Sequence, residues 1–125
     1  MSFYVKKLYS NELGIRNGIP NKAGKFLFIS KKIADFFPLH NPDELEPSMS
    51  LGIIINDRKH LVNAEYTYHN DVSKGHKGLD KRIYLNEEVD LNGLYFQPGY
   101  YIVFFKYIDE RDNETKYILY RFTPN

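Results

Sequence analysis

A chain of 125 residues with 42% hydrophobic content can bury one proper core, so a single domain is expected. The absence of cysteine excludes a disulfide framework and thiolate metal sites. No segment has the apolar run of a signal peptide or a membrane span, so a soluble protein of the cytosol is expected. The net charge of +1 hides a segregation: residues 6–32 carry seven basic side chains against Glu12, and residues 74–82 carry four against Asp80. Residues 33–73 and 83–114 are each acidic by five charges.

Aromatic content sets the fold class before any element is placed. Eleven tyrosines and nine phenylalanines without tryptophan favour strands, because flat rings pack well on a pleated, half-buried surface. Residues 3–9 are expected to form a first strand, and residues 10–24, rich in Asn, Gly and Pro, a long loop. A second strand is expected over 25–29. After it Ser30 can cap a short helix over 31–37, with Ile33, Phe36 and Phe37 at helical spacing and Pro38 ending it. Residues 40–47 form a polar connection, and the apolar run 51–55 suits a buried strand. Val62, Ala64, Tyr66 and Tyr68 alternate with polar residues, a period of two that sets one face against a core. A second loop over 70–78 leads into a strand from Arg82 to 85. Residues 100–108 and 117–122 flank a polar connection at 109–114 and read as a hairpin. The sum is six or seven short strands and one short helix, a mostly β, small open barrel with its basic segments in or beside two long loops.

Most chemical signatures fail on spacing. Asn17-Gly18 and Lys22-Ala23-Gly24-Lys25 lack the glycine pattern and following helix of a phosphate-binding loop. His40, His60, His69 and His76 stand at separations unlike those of a metal site, and no serine lies in a nucleophile elbow. Pro42-Asp43, an apolar strand and Asp57-Arg58-Lys59 resemble the PD-(D/E)xK motif, in which two carboxylates hold Mg²⁺ and a lysine assists. That fold needs helices on both sides of a mixed sheet. Asp57-Arg58-Lys59 is better placed at the polar tip of a hairpin between 51–55 and 62–68. No catalytic residue, metal or cofactor is therefore expected. The competing binding class, an RNA or single-strand binder, would use exposed aromatics as stacking platforms, whereas these alternate as core residues.

One resemblance runs through most of the chain. Tyr4-Val5-Lys6-Lys7-Leu8, Ser10-Asn11-Glu12-Leu13-Gly14, Phe36-Phe37-Pro38, Tyr68-His69-Asn70 and Asp80-Lys81-Arg82-Ile83 fall in the order seen in one domain family. It is the N-terminal effector-binding domain of EcoRII-type restriction endonucleases, which shares its pseudobarrel with plant B3 DNA-binding domains. The resemblance implies a seven-stranded open pseudobarrel with one or two short helices. It also implies sequence-specific binding of double-stranded DNA through the major groove by two loop arms.

By the same resemblance residues 10–25 form the N-arm, with Ser10, Asn11, Arg16, Asn17, Asn21, Lys22 and Lys25 as polar candidates. Residues 74–82 form the C-arm, where Lys74, His76, Lys77, Asp80, Lys81 and Arg82 are the candidates, with Asn70 at its opening. The family's C-arm reads Arg-Asn-Glu-Lys-Arg. Asp80, Lys81 and Arg82 match its last three positions, while Gly78 and Leu79 replace the first two, so one contact is lost or moved to Lys77 or His76. The chain is then expected to be the recognition domain of a type II restriction enzyme in a bacterial restriction-modification system, linked to a separate nuclease domain. Lysines and Arg16 would neutralise phosphates. Arg82 is a candidate for guanine, Asn17 or Asn21 for adenine, and Asp80 for the cytosine amino group or for orienting Arg82.

Overall fold

The computed structural model describes residues 2–16, 19–30, 33, 35–56, 59–70, 80–84 and 96–124, with backbone alone at 11, 14–16, 19–25 and 60. Among them are eight strands: β1 (Ser2–Lys7), β2 (Leu13–Arg16), β3 (Ile19–Ile29), β4 (Ser48–Ile55), β5 (His60–His69), β6 (Asp80–Tyr84), β7 (Tyr101–Asp109) and β8 (Glu114–Phe122). They form one sheet in the order β1-β7-β8-β4-β5-β6-β3-β2. Every neighbouring pair is antiparallel except β4 and β8, which run parallel.

Alternation decides which way each strand faces. Leu51, Ile53 and Ile55 of β4 and Val62, Ala64 and Tyr66 of β5 point inward with Leu27, Ile83, Ile102, Phe104 and Leu119, all buried. The expected hairpin between residues 51–55 and 62–68 is present, with Ile55 opposite His60. Asn56 and Lys59 lie at its tip, where Lys59 has a φ of 51° and donates its amide to Ile55 O at 2.7 Å. The C-terminal hairpin is present too, in register from Tyr101 opposite Phe122 to Asp109 opposite Glu114.

One expectation fails. Residues 10–24 are not a plain loop: Ser10–Glu12 make a 3₁₀ turn, and β2 and the first part of β3 pair as a ribbon with Arg16 opposite Ile19 and Leu13 opposite Lys25. Asn17-Gly18, the two-residue connection, lies outside the described residues, yet this dipeptide between two strand-length runs is a strong hairpin signal. The expected helix over 31–37 falls only partly within the described residues. Its described residues make i→i+3 bonds, Ile33 N to Ser30 O at 3.3 Å and Phe36 N to Ile33 O at 2.9 Å, while residues 31, 32 and 34 lie outside the description. A segment this short does not nucleate a helix unaided, and Pro38 forces the preceding residue towards extended backbone.

That turn instead plugs the barrel. Phe37 is buried with its ring 5.1 Å from that of Tyr117, 5.3 Å from Phe104 and 5.4 Å from Tyr66. The Tyr117 hydroxyl donates to Phe36 O at 2.9 Å and so ties the plug to β8. Burial pushes the Tyr117 phenol up to about 12.

The seam between β1 and β3 is held by a side chain. Glu12 is only 1% exposed, and it accepts amide hydrogen bonds from Tyr9 at 3.1 Å and Phe28 at 2.9 Å. It also pairs with Lys6 Nζ at 2.7 Å. One carboxylate thus joins the end of β1, the 3₁₀ turn and β3, satisfying its charge with a cation and two donors.

Candidate nucleic-acid interface

The candidate surface grows from the ladder between β3 and β6. Phe26 lies opposite Tyr84, Leu27 opposite Ile83, Phe28 opposite Arg82 and Ile29 opposite Lys81. Leu27, Ile29, Lys81 and Ile83 are buried, so Phe26, Phe28, Arg82 and Tyr84, all half-buried, form the outward face. The β2–β3 ribbon leaves this ladder beyond Phe26. The second basic segment enters it at Asp80, beside Ile29. The two expected arms are therefore rooted at opposite ends of the same two strands, with the outward face between them.

Arg82 dominates that face. Its Nε donates to Asp80 Oδ1 at 2.7 Å and its Nη2 to Oδ2 at 3.3 Å, a two-pronged pair that fixes the guanidinium plane. The guanidinium carbon sits 4.3 Å from the Phe26 ring centroid and 5.8 Å from that of Phe28. Burial works against its charge, but hydrogen bonds with Asp80 and Tyr84 outweigh that and hold its pKa above the usual value. Arginine has five N–H donors, so Asp80 and Tyr84 leave others on the guanidinium for a further acceptor. Beyond Arg82 in the same row lie Thr67 and Ser48. Their hydroxyls are 2.9 Å apart, and Ser48 donates to Glu65 Oε1 at 3.0 Å.

Lys81 points the other way. It is 8% exposed, its Nζ lies 5.6 Å from the Tyr68 ring centroid and 5.9 Å from that of Tyr66, and burial lowers its pKa. Close by, His40 donates Nε2–H to Tyr66 O at 2.9 Å, the direction fixed because a carbonyl can only accept. Burial lowers the His40 pKa, opposed by that hydrogen bond and assisted by Lys81.

Asn70, at the opening of the second segment, has a visible local task. Its Oδ1 accepts from Glu46 N at 2.6 Å and its Nδ2 donates to Glu44 O at 2.7 Å, stitching the 41–47 turn to the end of β5. His69 Nδ1 adds a contact to Glu46 Oε1 at 2.8 Å. Ser10 is exposed in the 3₁₀ turn with Asn11 beside it, Arg16 ends β2, and Asn21, Lys22 and Lys25 lie along β3. Asn17, Lys74, His76 and Lys77 lie outside the described residues.

The outward aromatics Phe26, Phe28 and Tyr84 and the hydroxyls of Ser48 and Thr67 were not among the sequence candidates. The signal for the first two was an apolar run over 26–29 with no polar alternation, which fills both faces of a strand. Of the nuclease signature, Asp57 and Arg58 lie outside the described residues; Asp43 is exposed in the 41–47 turn, where its amide donates to Asn41 Oδ1, and Lys59 is on the β4–β5 hairpin. Among the described residues, no three His, Cys, Asp or Glu side chains gather as metal ligands.

The curled, mostly β sheet with this order is a B3-type pseudobarrel. Two solved structures share it at 16% sequence identity. The B3 domain of the UbaLAI restriction endonuclease, solved with cognate DNA, superposes with a TM-score of 0.60 over 94% of this chain. The Arabidopsis FUS3–DNA complex gives 0.61 over 98% of this chain and 100% of that one. This chain spans 64% of the UbaLAI domain chain. The likeness is one of shape, since no protein-family model and no curated protein matches the sequence.

Proposed function

We propose that this chain recognises a short sequence in double-stranded DNA through the major groove, gripping it between an N-arm over residues 10–25 and a C-arm over residues 74–82. The observation that carries this reading is the Asp80–Arg82 pair on its Phe26 bed, midway between the roots of two basic segments. Neutralising phosphates supplies affinity and register, while a guanidinium held in a fixed plane suits guanine O6 and N7. Both fold neighbours were solved with DNA, which supports the same ligand here. The chain acts as the target-recognition domain of a type II restriction endonuclease in the bacterial cytosol, with cutting left to a covalently linked nuclease domain.

The outward aromatics favour a second reading, a single-strand binder that stacks bases on Phe26, Phe28 and Tyr84. Arg82 covers the Phe26 ring, and that favours the duplex. A titration against duplex DNA, duplex RNA and single-stranded DNA separates the readings, followed by selection of bound sites from random duplexes. Duplex DNA should bind most tightly, in EDTA as well as in Mg²⁺, and selection should converge on one short site. Equal affinity for all three ligands, or Mg²⁺-dependent cleavage lost in Asp57→Ala, would overturn the proposal.

A further inference from the structure

The far side of the sheet from the arms carries a surface of opposite character. Counting outward positions across the register, Phe3 of β1 lies beside Phe105 of β7, Phe105 beside Ile118 of β8, Ile118 beside Ile54 of β4, and Ile54 beside Leu61 of β5. A second row runs Val5, Val103, Tyr120, and a third Lys7, Tyr101, Phe122. Ten of these eleven outward side chains are apolar or aromatic, and the one charge, Lys7, stands at the rim. The rings are already in contact within the sheet, Phe3 and Phe105 at 6.0 Å and Phe105 and Tyr120 at 5.1 Å between centroids.

This face is open. Phe3 is 65% exposed, Leu61 60%, Phe122 51%, Val5 50% and Tyr101 43%, and the other five are partly exposed. At about 200 Å² for each large apolar residue, the exposed area comes to roughly 700 Å². The largest apolar patch on a typical monomer covers about 300–600 Å², whereas each partner in a standard stable interface contributes about 800 Å².

We propose that this face is a homodimer interface, packed face to face against the same surface of a second copy of the chain. The area nearly meets the requirement of a stable dimer. A surface without charge at its centre offers nothing to a nucleic acid or to a charged peptide, but it is complementary to itself across a two-fold axis. Its position fits as well: it occupies β1, β7, β8 and the adjoining halves of β4 and β5, while the arms spring from β3 and β6 further along the same sheet. Each copy in the pair keeps its arms free, so the dimer presents two recognition surfaces.

Sedimentation of the chain from about 1 to 500 µM tests this without DNA. The wild type should move from one mass to twice the 14.8 kDa of the chain as concentration rises. Val5→Lys and Phe122→Glu, both on half-exposed outward residues, should stay monomeric throughout with thermal melting points close to wild type. Leu45→Lys, at a leucine in the 41–47 turn more exposed than either, should dimerise as the wild type does. If one interface variant fails to melt cooperatively, the other decides. A wild type that is monomeric at every concentration overturns the proposal, and so does a dimer that survives both charged substitutions.

Discussion

Asp80→Ala tests the reading surface most directly, because Asp80 is an acid set in a basic segment, where its charge opposes attraction to phosphates. Its two bonds to Arg82, at 2.7 and 3.3 Å, hold the guanidinium plane at two points, whereas Tyr84 and the Phe26 ring alone hold it less firmly. The pair is part-exposed, at 18% for Arg82 and 29% for Asp80, so its loss should lower folding stability by no more than about 1 kcal/mol. The effect on recognition should be larger. A well-placed bidentate contact to a base discriminates by about 1–3 kcal/mol, so affinity for the selected site should fall by about 5- to 150-fold. Random duplex should bind equally well or better, because an opposing charge has gone and no phosphate contact has been lost. Fluorescence anisotropy on selected and random duplexes at two salt concentrations measures the ratio, and a melting curve monitors the fold. Asp80→Asn, which keeps one acceptor, should fall between. A destabilised Asp80→Ala protein whose specificity ratio is intact would refute the role assigned to the pair.

Four further outcomes follow from the described contacts. Lys81→Met should leave the salt dependence of DNA binding unchanged, because that side chain is buried on the inner face; a shallower salt slope would place it on phosphate. Glu12→Gln should cost about 3 kcal/mol in urea denaturation, since it removes the charge that answers Lys6 and weakens two amide acceptors; a loss below about 1 kcal/mol would contradict the seam. Phe37→Ala should destabilise by about 3–5 kcal/mol, measured the same way, because the plug has no other group to fill its place. His40 has a folded pKa below its ordinary 6.5, so the unfolded chain takes up the proton first: stability should be full above pH 6.5 and decline as the pH falls below it. Melting curves of wild type and His40→Gln across that range should converge towards acid.

The strands whose apolar residues alternate, or run unbroken between turn residues, were legible from sequence. Residues 62–68 and the C-terminal hairpin declare themselves because period-two burial is written locally. The β2–β3 ribbon was masked by composition: Gly14, Pro20 and Gly24 look like loop residues one by one and outweigh the hairpin signal of Asn17-Gly18, which the pairing of Arg16 with Ile19 bears out. The inward turn of Lys81 follows from alternation, since neighbours on a strand face opposite ways and Arg82 faces out only if Lys81 faces in. Only part of the role of Glu12 is local: its bond to Tyr9 N closes the 3₁₀ turn and Lys6 is six residues away, whereas Phe28 is brought to it by the closure of the barrel. The outward apolar rows likewise exist only once five strands stand in register.

Glu12 belongs to the root of the first arm and at the same time to the closure of the barrel, so the two share one mechanical coordinate. A load on the arm is carried through a buried carboxylate into the amide of Phe28, whose ring stands beside Arg82. If the β2–β3 ribbon grips DNA as proposed, fastening it to that rigid ligand stiffens the seam as well.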